Sequence, residues 1–165
     1  MSAPGPLTMH HVVLDSTDIR ELAEFYRALL GLVYGPGDEP PEAGEHDERG
    51  QDWLVLRTPD GRPRLAFQHV DRLTRPTWPD GPVAQQLHLD LDLSVSSVED
   101  LRAHHERVLS LGGRLLSDNE QGPDEPFRVY ADPAGHPFCI FVAESTSSSA
   151  GPGSCPQQPS AAEPL

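Results

Sequence analysis

The sequence predicts an α+β fold in which two βαβββ modules form a curved, incomplete eight-stranded barrel with the helices outside. Two segments lead to this prediction, because residues 11–15 and 88–92 both open on a histidine and then alternate apolar and polar residues. An amphipathic stretch follows each of them and ends at a glycine, Gly31 or Gly112. Short apolar runs separated by turn residues complete each half, as expected for strands joined in hairpins.

The first module spans residues 9–70 and begins with a strand over 9–15, where side chains alternate between two faces. A helix is predicted to begin at Asp18, whose carboxylate can cap free amides, with Glu21 three residues later in a capping box. Apolar residues recur at helical spacing up to Gly31, which supplies the left-handed C-terminal cap.

A long loop and a hairpin complete this module. Residues 35–52 are rich in Gly, Pro, Asp and Glu and are predicted to be a mobile loop, acting as a lid or a binding loop. Residues 53–57 and 64–70 are predicted strands, joined by a turn that has Pro59 and Gly61 where turns use them.

The second module spans residues 86–143. Its first strand, 86–93, places four leucines on one face, predicted to pack on the helices, and His88, Asp90 and Asp92 on the other. A helix over 98–112 follows, and then three predicted strands, at 114–117, 127–131 and 137–142. The polar face of the first strand is expected to line a concave cleft.

Composition limits the function classes. The chain has 165 residues, with 12 Lys+Arg against 26 Asp+Glu and a formal charge of -14, which disfavours nucleic acids and anionic membranes as partners. No apolar run approaches the roughly 18 residues of a membrane span, and no secretory signal is recognisable. Cys139 and Cys155 are the only cysteines, consistent with a reducing cytoplasm.

Residues 1–8 are predicted to be an extension. Residues 144–165 are rich in Ser, Pro, Gly, Ala and Gln and are predicted to be a disordered tail.

Motifs in fixed order identify a family resemblance over about residues 9–143. The sequence resembles the vicinal oxygen chelate superfamily, which includes glyoxalases, bleomycin-resistance proteins and extradiol dioxygenases. The residues that carry this resemblance are His11-Val-Val-Leu, Asp18, Phe25-Tyr26, Leu30-Gly31, His88-Leu-Asp-Leu and Asp132-Pro-Ala-Gly-His-Pro-Phe. The glyoxalase-like subgroup is the most similar, through Phe67-Gln68, Trp78-Pro79, His88-Leu89-Asp90 and Gly135 to Cys139.

The resemblance implies four metal-ligand positions, one on each of four strands. They fall on His11, Gln68, His88 and Cys139. Gln68 is a weak neutral donor, and Cys139 replaces an anionic oxygen ligand with a soft thiol among apolar residues. Two histidines alone cannot fix a catalytic geometry, so no tight metal and no other cofactor is predicted, although Asp90, two residues along the strand from His88, could approach the same site.

The resemblance therefore implies a protein with a degenerate metal site that binds a small molecule in the cleft or transforms it without metal. The alternative is a metal-dependent lyase or dioxygenase of the glyoxalase or extradiol type. A third hypothesis is a metal-free lyase, isomerase or dehydratase in which His11 or His88 acts as general base, paired to Asp90. The sequence leaves open whether the cleft forms within one chain or across a homodimer. The predicted ligand-binding residues are His11, Trp53, Gln68, Trp78, His88, Asp90 and Cys139.

Overall fold

The computed structural model describes residues 7–93, 97–121 and 126–142. The chain divides into two compact units, with the boundary between Leu73 and Thr74. Each unit contains one four-stranded mixed sheet and one α-helix, so the α+β class and the repeated βαβββ unit are confirmed. The predicted tail, 144–165, lies outside the described residues, as does most of the N-terminal extension.

The first unit contains four strands, one α-helix and a short 3-10 helix at Arg49–Gln51. Its sheet has the order β1-β4-β3-β2, in which β1 is parallel to β4 and the other pairs are antiparallel. The elements are β1 (Val12–Ser16), α1 (Ile19–Leu30), β2 (Val33–Tyr34), β3 (Trp53–Arg57) and β4 (Pro63–His69).

Both ends of α1 lie where the sequence predicts them. The Asp18 carboxylate accepts a hydrogen bond from the Glu21 amide at 2.9 Å, and Gly31 adopts φ 65°, the left-handed conformation that ends the helix. The apolar stripe of α1 is buried against one face of the sheet, where the Tyr26 and Phe67 rings stack with centroids 6.1 Å apart.

Two strand assignments differ from the sequence prediction. Strand β1 begins at Val12, so that His11 directly precedes it rather than lying within it. The strand after α1, which the sequence analysis did not locate, consists only of Val33 and Tyr34. Two residues are too few to show an alternating pattern, and this strand is recognisable only by its pairing with Arg57 and Leu56 of β3.

The loop between β2 and β3 is attached to both the helix and the sheet. Arg20 on α1 donates to both carboxylate oxygens of Asp47, at 2.7 and 3.0 Å, and to the Asp38 carbonyl at 2.7 Å. The carboxylate of Asp38, a buried residue, accepts from Arg49 and from the Val55 amide of β3. These contacts fix the loop at two points, so a role as a lid would require the breakage of charge-assisted hydrogen bonds.

Replacing Arg20 with alanine is expected to lower the free energy of unfolding by about 2 kcal/mol at pH 7, because a half-buried bidentate pair is lost. Arg20 holds the pKa of Asp47 below its usual value, despite the opposing effect of burial. The stabilisation is therefore present above the unfolded-state pKa of an aspartate and is lost as the pH falls through the lower pKa of the folded state. Urea unfolding from pH 7 to pH 3 measures this difference.

Arg27→Ala is the matched control, because it removes an arginine of the same helix that pairs with Glu24 at the surface. Its cost should stay below about 0.5 kcal/mol. Equal costs for the two variants, or a difference that does not shrink in acid, would contradict the attachment of the loop through Arg20.

The second unit repeats this topology, with the order β5-β8-β7-β6 and with β5 parallel to β8. Strands β7 and β8 have the predicted bounds, whereas β6 extends two residues beyond its predicted end. Its elements are β5 (Leu89–Leu93), α2 (Val98–Ser110), β6 (Arg114–Asn119), β7 (Phe127–Ala131) and β8 (Pro137–Val142).

The predicted leucine face of the first strand of this unit is only partly correct. Strand β5 begins at Leu89, three residues later than predicted. Leu93 is buried, but Leu87 is 40% exposed, because the chain has not yet entered the sheet at that residue. His88 also precedes the strand, as His11 precedes β1.

The face of the second sheet that carries α2 contains a polar network as well as apolar side chains. Buried Arg128 pairs with Glu120 and, at 3.2 Å, with Asp118. The Tyr130 hydroxyl lies 3.2 Å from Nδ1 of His105 on α2, and burial raises the pKa of Tyr130 to about 12. These contacts show which face α2 covers and leave the opposite face for other partners.

Candidate functional site

The helix-free face of the second sheet carries a buried apolar cluster. We define this face by Asp90, Phe127, Val129, Cys139 and Phe141, whose side chains share one side of the sheet because their residues are paired across the strands. The last four of them form the cluster, and the Phe127 and Phe141 rings stack with centroids 5.4 Å apart. An apolar floor with polar groups at its edge is typical of a small-molecule site.

The polar groups at this edge are His88 and Asp90. Nε2 of His88 lies 3.4 Å from Oδ1 of Asp90, and the two side chains are 29% and 47% exposed. Both residues point to the same side because they are two positions apart along an extended segment. The contact orients the imidazole, and it leaves the carboxylate accessible to a ligand.

Cys139 lies on the neighbouring strand, next to this pair. The parallel register pairs Asp90 with Cys139, and the ligand atoms of His88, Asp90 and Cys139 all lie within 4.8 Å of one another. Within residues 7–93, 97–121 and 126–142, this is the one group of three His, Cys, Asp or Glu side chains that could hold a metal ion. The structure therefore brings three of the predicted site residues together.

The chemistry of this group fits a metal only in part. One imidazole, one carboxylate and one thiolate are ligands that zinc accepts. However, Cys139 is fully buried within the apolar cluster, and the register alone accounts for its closeness to Asp90. The proximity of these donors is thus explained without any ion, and we derive no chemical step through a metal here.

Trp78 covers part of the apolar cluster. It belongs to the Pro-rich connector that precedes β5, and its half-buried indole packs against the cluster together with Leu116. The indole also makes an edge-to-face contact with the imidazole of His88, with centroids 6.3 Å apart and planes at 73°. Trp78 is thus in contact with both the floor and the polar edge of the site.

The other predicted site residues belong to the first unit. The rings of His11 and Trp53 lie 6.1 Å apart, and buried Nδ1 of His11 has no hydrogen-bond partner among the described residues. Burial lowers the pKa of His11, and the nearby charges of His10 and Arg57 act in the same direction. A neutral imidazole is therefore favoured at this position.

Gln68 lies at the far end of the first sheet. It pairs with Asp15 of β1 and with Trp53 of β3. In the register of β1 with β4, Gln68 is four residues further along β4 than the residue beside His11. If His11 corresponds to His88, then Val13 corresponds to Asp90, and its partner Ala66 takes the place of Cys139. The convergence of His11, Gln68, His88 and Cys139 remains a prediction, because it joins residues of both units.

Sequence reasoning did not identify every residue of the helix-free face. Phe127 and Val129 of β7 were assigned to a strand but not to a site, although their alternation with Arg128 placed them together on one face. Arg75, which hydrogen-bonds the Pro133 carbonyl and anchors the connector, has no sequence signal, because its partner is 58 residues away.

Comparison with known proteins addresses the fold. No curated protein matches the chain, and none of the described helices is long and apolar enough to cross a bilayer. A glyoxalase/dioxygenase from Nostoc punctiforme is 21% identical, with a TM-score of 0.56 over 85% of this chain and 97% of that chain.

Two further solved structures share the fold at lower identity. A glyoxalase/bleomycin resistance protein/dioxygenase family enzyme from Burkholderia phytofirmans PsJN is 15% identical, with a TM-score of 0.56, over 81% of this chain and 98% of that chain. FosX, a fosfomycin resistance protein from Listeria monocytogenes complexed with Mn(II) and sulfate ion, is 15% identical, with a TM-score of 0.54, over 82% of this chain and 92% of that chain. The family model described as glyoxalase-like domain matches residues 11–141, and the chain therefore belongs to the glyoxalase-like domain family.

Proposed function

We propose that this protein binds a small organic molecule on the helix-free face of its second sheet, without a tightly bound metal. The observation that carries the proposal is the burial of Cys139 in an apolar cluster, where a thiol serves as a small hydrophobic side chain. In this proposal the cluster forms the floor of the site. Trp78 packs against this floor in the structure, and His88 with Asp90 supplies the polar contacts.

The same arrangement supports metal-independent chemistry at His88. A histidine whose ring is oriented by a carboxylate is suited to remove or deliver a proton at a fixed position. In this form of the proposal, Asp90 positions the ring through the 3.4 Å contact and His88 moves the proton. The second imidazole, His11, belongs to the other unit and is proposed as a ligand-binding residue, as are Trp53 and Gln68.

A metal-dependent lyase or dioxygenase is the second candidate. It is favoured by the approach of His88, Asp90 and Cys139 to within 4.8 Å of one another, and by FosX, which shares the fold and was solved with Mn(II). In this candidate, those three side chains would hold the ion, which would polarise an oxygen of the substrate.

Metal analysis distinguishes the two candidates. Protein purified without chelators is expected to hold fewer than about 0.1 equivalents of zinc, iron, nickel or manganese, because two of the four family positions lack an anionic oxygen ligand. The His88→Ala variant should be equally metal-poor, and His69→Ala is the control for the loss of a histidine. About one equivalent in the wild type, lost in His88→Ala and kept in His69→Ala, would establish the metal-dependent candidate instead.

A further inference from the structure

We propose that the connector before β5 is a hinged cover, and that the indole of Trp78 occupies the place of the ligand's ring. The ligand class that follows is a planar aromatic molecule bearing a positively charged amine. This inference deepens the proposed function and rests on it, because it names what the helix-free face of the second sheet would bind.

The position of the indole indicates the shape of the ligand. The aromatic side chain of Trp78 packs against the cluster of Phe127, Val129, Cys139 and Phe141. The indole and the imidazole of His88 meet edge to face, with their planes at 73°. A molecule that replaces the indole must therefore have a flat, apolar body to cover the same floor. It must also present a polar group where His88 and Asp90 lie.

A hydrogen bond from Arg75 ties the cover to the rest of its unit. Nη2 of Arg75 donates to the Pro133 carbonyl at 2.8 Å, in an exposed position. Thr77 and Val83 close the connector into a loop, with an amide-to-carbonyl bond of 2.8 Å and a hydroxyl bond to the same carbonyl of 3.0 Å. Residues 79–82 between them are exposed. Because the loop is closed on itself, it can move as one piece when the Arg75 contact breaks.

Two glycines allow the side chains of Arg75 and Thr77 to pack closely against the backbone. A Cβ on Gly135 would lie 2.7 Å from Cγ of Arg75, and one on Gly81 would lie 2.3 Å from Oγ1 of Thr77. Both glycines have positive φ, 104° and 149°, so that a side chain is disfavoured by the backbone as well. The packing of Arg75 on the backbone of Gly135 therefore helps to place the cover on its unit, whereas the packing of Thr77 on Gly81 shapes the connector itself.

The charge of the ligand follows from the edge of the site. Asp90 is 47% exposed, and Asp92, on the same side of β5, is also exposed. Arg102 and Arg128 of this unit pair with Glu120 on the α2 side, and Arg75 is bound to the Pro133 carbonyl. In the part of the chain that the structure describes, these three arginines are thus held by other partners, so the carboxylates of Asp90 and Asp92 can attract a cation.

The opening of the cover can be measured without any ligand. Cys139 is fully buried in the cluster against which Trp78 packs, so its alkylation by N-ethylmaleimide in a Cys155→Ser background reports exposure of the floor. Arg75→Ala is expected to raise the alkylation rate at least about 10-fold, because it removes the contact to Pro133. Trp78→Ala should raise the rate further. Arg72→Ala, which removes an exposed arginine near the unit boundary, should leave it unchanged.

Thermal unfolding of each variant provides the control for global destabilisation. A faster rate in Arg75→Ala at an unchanged midpoint supports the cover. Equal rates in Arg75→Ala, Arg72→Ala and the parent would overturn it, as would a faster rate explained by a lower midpoint.

The ligand class is tested with three acridines that share one ring system. At neutral pH, 9-aminoacridine is cationic, acridine is neutral and acridine-9-carboxylate is anionic. The cation is expected to bind at least about 10-fold more tightly than the anion, and Asp90→Asn should narrow this ratio. Glu106→Gln, on the helix side of the same unit, removes the same charge and should leave the ratio unchanged. In a Trp53→Phe variant, acrylamide should quench Trp78 more strongly when the cation is bound.

The outcomes separate this inference from the proposed function. Equal affinities for the three probes that are all weakened by His88→Ala would overturn the cationic class, but would leave small-molecule binding at this face intact. If none of the three acridines binds, the proposed ligand class, a planar aromatic cation, is also overturned. Binding that is unaffected by His88→Ala, Asp90→Asn and Phe141→Ala would overturn the proposed function as well, because the probes would then occupy another surface.

Discussion

Replacing Phe138 with alanine is expected to lower the free energy of unfolding by about 4 kcal/mol, the largest effect of any single substitution considered for this protein. Phe138 is fully buried on the helix side of the second sheet, where its ring stacks on Tyr130 with centroids 5.4 Å apart. The deletion leaves a cavity between the sheet and α2, and the rigid packing of a strand against a helix relaxes only partly around it.

Phe141→Ala is the matched comparison, because it removes the same side chain from the same strand on the opposite face. Phe141 is also buried, but it lies in the cluster that Trp78 covers. If the connector is a movable cover, the space can be hydrated or filled by the indole, and the cost should be nearer about 2 kcal/mol. Urea unfolding at 25 °C measures both values. A Phe141→Ala cost equal to that of Phe138→Ala would show that both faces are closed cores.

The sequence is informative about the fold wherever local chemistry decides it. Helix α1 was predicted from its cap at Asp18 and its glycine at Gly31, and both make the expected contacts. The Asp18 amide, which a capping box would pair with Glu21, instead donates to the Ser16 hydroxyl at 3.0 Å. Strands β7 and β8 were predicted at their observed bounds, because alternating apolar residues flank the Asp132 to Gly135 turn. In that turn the Asp132 carboxylate accepts from the Gly135 amide at 2.8 Å, which is a contact between residues three apart.

The errors lie where pairing between distant residues decides the structure. Strands β1 and β5 begin three residues later than the alternation indicates, since a segment with strand propensity becomes a strand only where a partner strand is present. The two-residue β2 exists through its pairing with β3 alone. Alternation identifies which side chains of a strand share a face, but it does not reveal which residues of the neighbouring strand they pair with.

The same reasoning explains what was and was not predictable about the candidate site. His88, Asp90 and Cys139 were singled out from the sequence, and the parallel register of β5 with β8 brings them together. The position of Gln68 depends equally on register, which pairs it with Asp15 of β1 and with Trp53 of β3. The packing of Trp78 on the apolar cluster could not be predicted, because the connector that carries Trp78 has no periodic pattern of apolar residues.

Replacing Cys139 with histidine is expected to create a metal site, with an affinity for Co(II) at least about 100-fold higher than that of the wild type. The substitution would place a second imidazole across from Asp90 and beside His88, since the register pairs position 139 with position 90. Two histidines and one carboxylate on one face form the open ligand set of many divalent-metal sites. The larger side chain overpacks the apolar cluster, so the apo variant should be less stable than the wild type, and Co(II) should restore stability by binding only the folded state.

Visible absorption of bound Co(II) and the rise in unfolding midpoint with Co(II) concentration measure this gain. The double variant Cys139→His with Asp90→Asn is the control, because it keeps the added imidazole and removes the only carboxylate of the group. It should lose most of the gained affinity, since two imidazoles alone do not hold a divalent ion firmly. A folded Cys139→His variant that binds Co(II) no better than the wild type would show that these side chains do not meet at one point, and with that the polar edge assigned to the proposed ligand site would be wrong.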